Sequence, residues 1–127
     1  RAVALLRSGS AAAARVALGE ALAADPLSYR AHWRLGQCYY AERRFELELI
    51  EYRLSLAINP AFPPALRSLG HACLALDRLE EARAAYRRYL QLAPLDAEVR
   101  YDLILVERDL GLARETAGFL APPSVPR

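Results

Sequence analysis

Two histidines and two cysteines are the side chains best equipped for metal or redox chemistry, so their spacing comes first. His71 and Cys73 stand two apart, which puts them on different sides of a helix rather than one turn apart. His32 and Cys38, six apart, match a helical turn no better. No metal site is expected. Nucleophilic catalysis needs a serine or cysteine held against a base and an orienting group, and no Gly-x-Ser-x-Gly elbow occurs. A phosphate-cradling glycine loop and a dinucleotide fingerprint are missing too. The carboxylates read as solvated helix faces, and Glu80-Glu81 opens a helix, where the dipole favours negative charge. The chain is therefore read as non-enzymatic and without a cofactor.

What remains is chemistry of grip rather than of reaction. The stretch "HWRLGQCYY", His32 to Tyr40, holds the sole tryptophan beside an arginine and two tyrosines. Aromatic rings give large contact area at low entropy cost, and a guanidinium can fork onto a carboxylate. All seventeen basic residues are arginine, which, with the abundant alanine, points to a high-GC genome such as a bacterial one. A net charge of +2 is too mild to imply nucleic acid, and Arg43-Arg44 and Arg87-Arg88 are the densest basic pairs. No apolar run approaches the ~20 residues of a membrane span, so membrane insertion is not expected. Cys38 and Cys73 lie among apolar residues and read as reduced core thiols, which favours the cytoplasm over an oxidising compartment.

The elements that must position these side chains are marked by proline. "ADP", "INP" and "LAP" end at Pro26, Pro60 and Pro94, two intervals of 34. Each proline follows a segment of helical period and stops it. Shifting the chain by 34 brings Leu35-Gly36 onto Leu69-Gly70 and Tyr52 onto Tyr86. Each unit reads as two helices, the first over about 29–41 and 63–75, the second over about 45–58 and 79–92. A second helix over about 11–24 precedes them, behind a stub at 2–8. After Pro94, Asp96 is a suitable N-cap for a helix to about 110, stopped by Gly111.

The 34-residue period, Leu-Gly-x-x-Tyr at 35–39, the small-x-x-x-aromatic pair Ala82–Tyr86 and the closing prolines resemble the tetratricopeptide repeat. The resemblance covers roughly residues 1–110. It implies an all-α fold, a right-handed superhelical α-solenoid of antiparallel helix pairs with a C-terminal capping helix. The single domain spans 1–120, with a partial first repeat at 1–28, full repeats at 29–62 and 63–96, and the capping region at 97–120. Residues 121–127 read as a tail or linker. Some departures stand out. Glu48 occupies the small-residue place filled by Ala14 and Ala82, so its carboxylate must be paired or reach solvent. In the last helix Ile104 replaces the glycine and Glu107 the aromatic, so that helix reads as a cap sealing through Val99, Leu103, Val106 and Leu110.

In such a superhelix the first helices line the concave side. Arg30, Trp33, Arg34, Gln37 and Tyr40 share one stripe of the middle unit. Arg67, Ser68, His71 and Leu74 continue it, and the capping helix adds Glu98, Tyr101, Asp102 and Leu105. The groove assigned to a partner is Arg30, Trp33, Arg34, Gln37, Tyr40, Arg67, His71 and Tyr101. Trp33 has a second use open to it, filling space between hairpins. The partner is expected to be a protein or peptide segment, extended or helical, with acidic groups near the middle units. Some family members clamp chaperone C-terminal carboxylates with lysine, asparagine and arginine. Here Trp33, Gln37, Ser68, Glu98 and Asp102 stand at those places, which rejects a chaperone tail.

The alternative is an assembly scaffold. The chain opens at Arg1 without an initiator methionine or signal pattern, as a piece of a longer protein would. Val3, Leu5 and Leu6 on the stub would then be covered by preceding repeats or by self-association into a homo-oligomer.

Overall fold

A computed structural model describes residues 10–111, which form six helices and, among the described residues, no strand. They are α1 (Ala11–Ala24), α2 (Tyr29–Ala41), α3 (Phe45–Ile58), α4 (Pro63–Ala75), α5 (Leu79–Leu92) and α6 (Ala97–Asp109). Each packs on the next in chain order, α2 most extensively on α3 and α4 on α5. The helix bounds match the sequence reading to within one residue. The stub with Val3, Leu5 and Leu6, and the tail from 112, lie outside the described residues.

The starts and stops have local causes. Ser28 Oγ accepts the Ala31 N–H at 3.2 Å, and Asp96 Oδ1 accepts that of Val99 at 3.2 Å, as side-chain caps. Pro63 and Pro64 open α4, where a missing N–H costs nothing. At the turn inside each hairpin the chain enters the left-handed region, at Arg43 (φ 60°) and Asp77 (φ 59°). The Arg44 and Arg78 N–H groups reach back to Tyr39 and Cys73 carbonyls at 2.8 Å, closing Schellman motifs. Gly111, with φ 79°, takes the same role after α6. The three residues are again 34 apart, and only the last is glycine. Arg43→Gly is therefore expected to stabilise the fold by about 0.5–1 kcal/mol, read from urea melts, because only glycine occupies that region without a Cβ penalty.

The core fills the space between successive hairpins. Its larger part joins α3 to α6 through Leu49, Leu66, Cys73, Tyr86, Val99 and Val106, with Trp33 and Tyr29 packed on its edge. A smaller part, Ala14, Leu18, Ala31, Leu35 and Cys38, holds α1 to α2. Both cysteines are free and fully buried, and burial pushes the Cys73 thiol up to about 12. Val99, Leu103 and Val106 are buried and Leu110 packs against the same core, as the cap reading requires.

Gly36 and Gly70 explain how the two helices of each hairpin come so close. A Cβ built on either would stand 2.4 Å from the ring of Tyr52 or Tyr86, respectively. One edge of the ring occupies the space a side chain would take. That approach offsets the roughly 1 kcal/mol that glycine costs within a helix.

Candidate functional site

Two adjoining cavities, lined by α2, α3, α4 and α5, share Gln37 and Ser68. The larger, about 360 Å³, is walled by Tyr40, Phe45, Tyr52 and His71 and floored by Glu48, Ala72 and Ala75. The smaller, about 280 Å³, runs between Trp33, Arg67 and Tyr89, with Pro63 and Pro64 at its end. Cavities of this size have room for one long side chain or a small molecule of similar volume. Among the described residues no three His, Cys, Asp or Glu side chains gather in a way that could hold a metal ion, and no helix is long and apolar enough to cross a membrane.

Trp33 sits at the junction of α2 and α4. Its Nε1–H donates to Ser68 Oγ at 3.0 Å, and its ring meets Phe62 edge-on at 5.7 Å. It packs against the core and also lines the smaller cavity. The Tyr52 hydroxyl lies in the same cavity as Ser68 and Glu48, and the two act oppositely on its acidity, the carboxylate opposing its ionisation and Ser68 favouring it.

Glu48 is 4% exposed, and burial pushes its carboxyl above the usual range. The nearby Tyr52 hydroxyl opposes that rise without cancelling it. Folding therefore holds this proton more tightly than the unfolded chain does. Wild type must lose stability as pH climbs from about 4.5 through the raised value, a loss that Glu48→Gln removes. A gap in Tm between variant and wild type, closed near pH 4.5 and widening towards pH 8, is the expected result of circular-dichroism melts. The other titratable groups facing this carboxyl are Tyr40, Tyr52 and His71. They are unchanged in the comparison.

Five of the eight residues assigned to the groove meet at the cavities: Trp33, Gln37, Tyr40, Arg67 and His71. His71 shares a 2.6 Å hydrogen bond between Nδ1 and the Tyr86 hydroxyl, and burial lowers its basicity, so the ring is neutral at pH 7. The other three do not line them. Arg30 lies over the rings of Tyr29 and Phe62 at 5.5 and 5.4 Å. Arg34 covers Trp33 at 4.5 Å and donates to Gln37 Oε1 at 3.3 Å. Tyr101 projects from α6, 61% exposed. The single stripe is thus split, because two of its arginines fold back onto aromatic faces of their own chain.

Phe45, Glu48, Tyr52 and Tyr89 line the cavities without having been assigned to the groove. They come from second helices, α3 and α5, whereas the stripe runs along first helices only. The one sequence signal was Glu48, a carboxylate in a small residue's place.

Two sequence profiles described as tetratricopeptide repeat match the chain, over residues 1–63 and 63–106. The chain belongs to the tetratricopeptide repeat family. Within it, 86 residues are 33% identical to the peroxisomal targeting signal receptor of Saccharomyces cerevisiae. That stretch is 68% of this chain but 14% of the receptor, so the chain spans about one seventh of this relative. RNA polymerase II-associated protein 3 of Homo sapiens is 29% identical over 87 residues, 68% of this chain and 13% of that protein. Among solved structures, the first repeat domain of Spaghetti (RPAP3) bound to the HSP90 peptide SRMEEVD superposes with a TM-score of 0.81. It is 24% identical and covers 87% of this chain and 89% of its own. MamA superposes with a TM-score of 0.82 at 22% identity, over 91% of this chain and 67% of its own. Both likenesses establish the tetratricopeptide-repeat solenoid as the fold.

Proposed function

We propose that this chain is a non-catalytic protein-interaction module that takes a segment of a partner protein along the α2–α4–α6 face. The observation that carries the reading is the pair of joined cavities around Gln37 and Ser68, open to solvent and edged by Trp33, Tyr40 and Arg67. Preformed aromatic walls with a few fixed polar groups are what peptide recognition needs. Support comes from a structural relative bound to a short peptide and from relatives named as receptors for a targeting signal. Carboxylates of the segment pair with Arg67 and with the guanidinium groups of Arg30 and Arg34, which stay charged on their rings. A chaperone tail of the acidic kind bound by Spaghetti does not suit this face, where Glu98 and Asp102 would repel it.

A displayed library of random twelve-residue peptides, selected on the purified chain, tests the proposal. Peptides recovered from it are expected to lose at least ten-fold in affinity for the Trp33→Ala/Arg34→Ala variant while its helicity persists. Equal affinity for the helical variant would place the binding surface elsewhere and overturn this reading.

A further inference from the structure

Most of the buried or half-buried carboxylates on the described helices found a cation. Glu42 meets Arg15 at 3.1 Å, Glu51 meets His32 at 2.8 Å, Glu81 meets Arg53 at 2.6 Å and Glu107 meets Arg83 at 2.7 Å. In a chain with seventeen arginines this is no surprise. Glu48 breaks the pattern. It is more buried than any of these except Glu107, yet among the described residues no arginine or histidine forms an ion pair with it. Among the described residues only the Tyr52 hydroxyl offers it a hydrogen bond, which leaves most of its acceptor capacity unused. A small residue stands at the equivalent position of the other units, Ala14 and Ala82, so the fold does not require a carboxylate there.

The surroundings of this carboxylate have a definite chemistry. Tyr40, Phe45 and Tyr52 present three aromatic rings to the cavity, with Tyr40 and Phe45 tilted against each other at 6.2 Å. His71, on the far wall, is neutral at pH 7 and adds no competing charge. Arg67 belongs to the neighbouring cavity, not to this one. Aromatic faces around a buried anion attract a cation at once by quadrupole and by charge. A cavity of about 360 Å³ has room for a side chain of arginine length.

We infer that the cavity over Glu48 is a specificity pocket for a basic side chain of the partner segment, with Tyr40, Phe45 and Tyr52 clasping the stem and the carboxylate receiving the guanidinium. The inference rests on the groove reading and sharpens it. The recognised segment is bipartite, with a basic residue in this pocket and acidic groups over the arginine side of the face. The buried carboxylate costs stability in the empty module, and the incoming cation recovers it.

Blocked pentapeptides with a central arginine, citrulline or glutamate are the probes, titrated into the whole chain and followed by the proton resonances of Tyr40, Phe45 and His71. The arginine peptide is expected to bind about ten-fold tighter than its neutral isostere, the difference a charged hydrogen bond makes. Glu48→Gln keeps the shape and the acceptor for Tyr52, so it is expected to melt no lower than wild type while binding both peptides equally. Equal binding of arginine and citrulline peptides to wild type, or discrimination that survives Glu48→Gln, would overturn the pocket assignment. Agmatine binding as tightly as the arginine peptide would mean a free small cation is the ligand, and would equally overturn it. The groove reading fails separately, when library-selected segments ignore Trp33 and Arg34. Loss of the pocket leaves that result untouched.

Discussion

Gly70→Ala lowers stability by about 2 kcal/mol, although alanine is the better helix former by about 1 kcal/mol. The added methyl would sit 2.4 Å from the Tyr86 ring, which is fully buried and cannot swing away. Either α5 is pushed off α4 or the ring leaves its rotamer, and both disturb a core packed to crystal density. Urea denaturation measures the loss. Gly19, in the middle of α1, has nothing within 4 Å among the described residues, so Gly19→Ala gains stability there by about 1 kcal/mol. Opposite signs at two helical glycines test the close-approach account against simple propensity. In a Tyr86→Leu background the Gly70→Ala penalty shrinks, since the atom it strikes is gone.

The second large effect lies at the cap. Glu107 is 1% exposed, with its Oε2 held by Arg83 at 2.7 Å and Arg87 at 3.7 Å. Its other oxygen, Oε1, is buried and has no hydrogen-bond partner among the described residues. Arg83→Met keeps the aliphatic stem but removes the nearer charge, and breaking such a pair costs about 3 kcal/mol. For a domain of this size that is a fall in Tm of at least ~10 °C, measured by circular dichroism. Arg83→Met combined with Glu107→Leu is expected to restore most of the loss, because an apolar pair of similar volume owes no desolvation. A double variant as unstable as the single one would show that the arginine acts through its other contacts.

Much of this architecture was readable from the residues. Proline cannot continue a helix, so Pro26, Pro60 and Pro94 mark the ends of α1, α3 and α5 wherever the rest of the chain goes. The same holds for Asp96 and Gly111, whose capping roles are local. The candidate site was legible only in part. Helical spacing tells which side chains share a stripe, and it found Trp33, Gln37, Tyr40, Arg67 and His71. It is blind to where a long side chain ends. Arg34 has as much reason to face solvent as to cover Trp33, and cation–π contact decides the matter only once the ring is in place. Glu48 was recognised as a misfit, but its surroundings come from Tyr40 on α2 and His71 on α4, neighbours that no period along one helix reveals.

The indole N–H of Trp33 donates to Ser68 at 3.0 Å, and Ser68 lines both cavities. The ring is thereby fixed at the seam where the two cavities meet. A side chain that fills either one changes the water and the polar groups around that seam, and indole emission follows such changes. The chain has a single tryptophan, so its fluorescence comes from this place alone. The emission of Trp33 is therefore a built-in optical gauge of what occupies the two cavities.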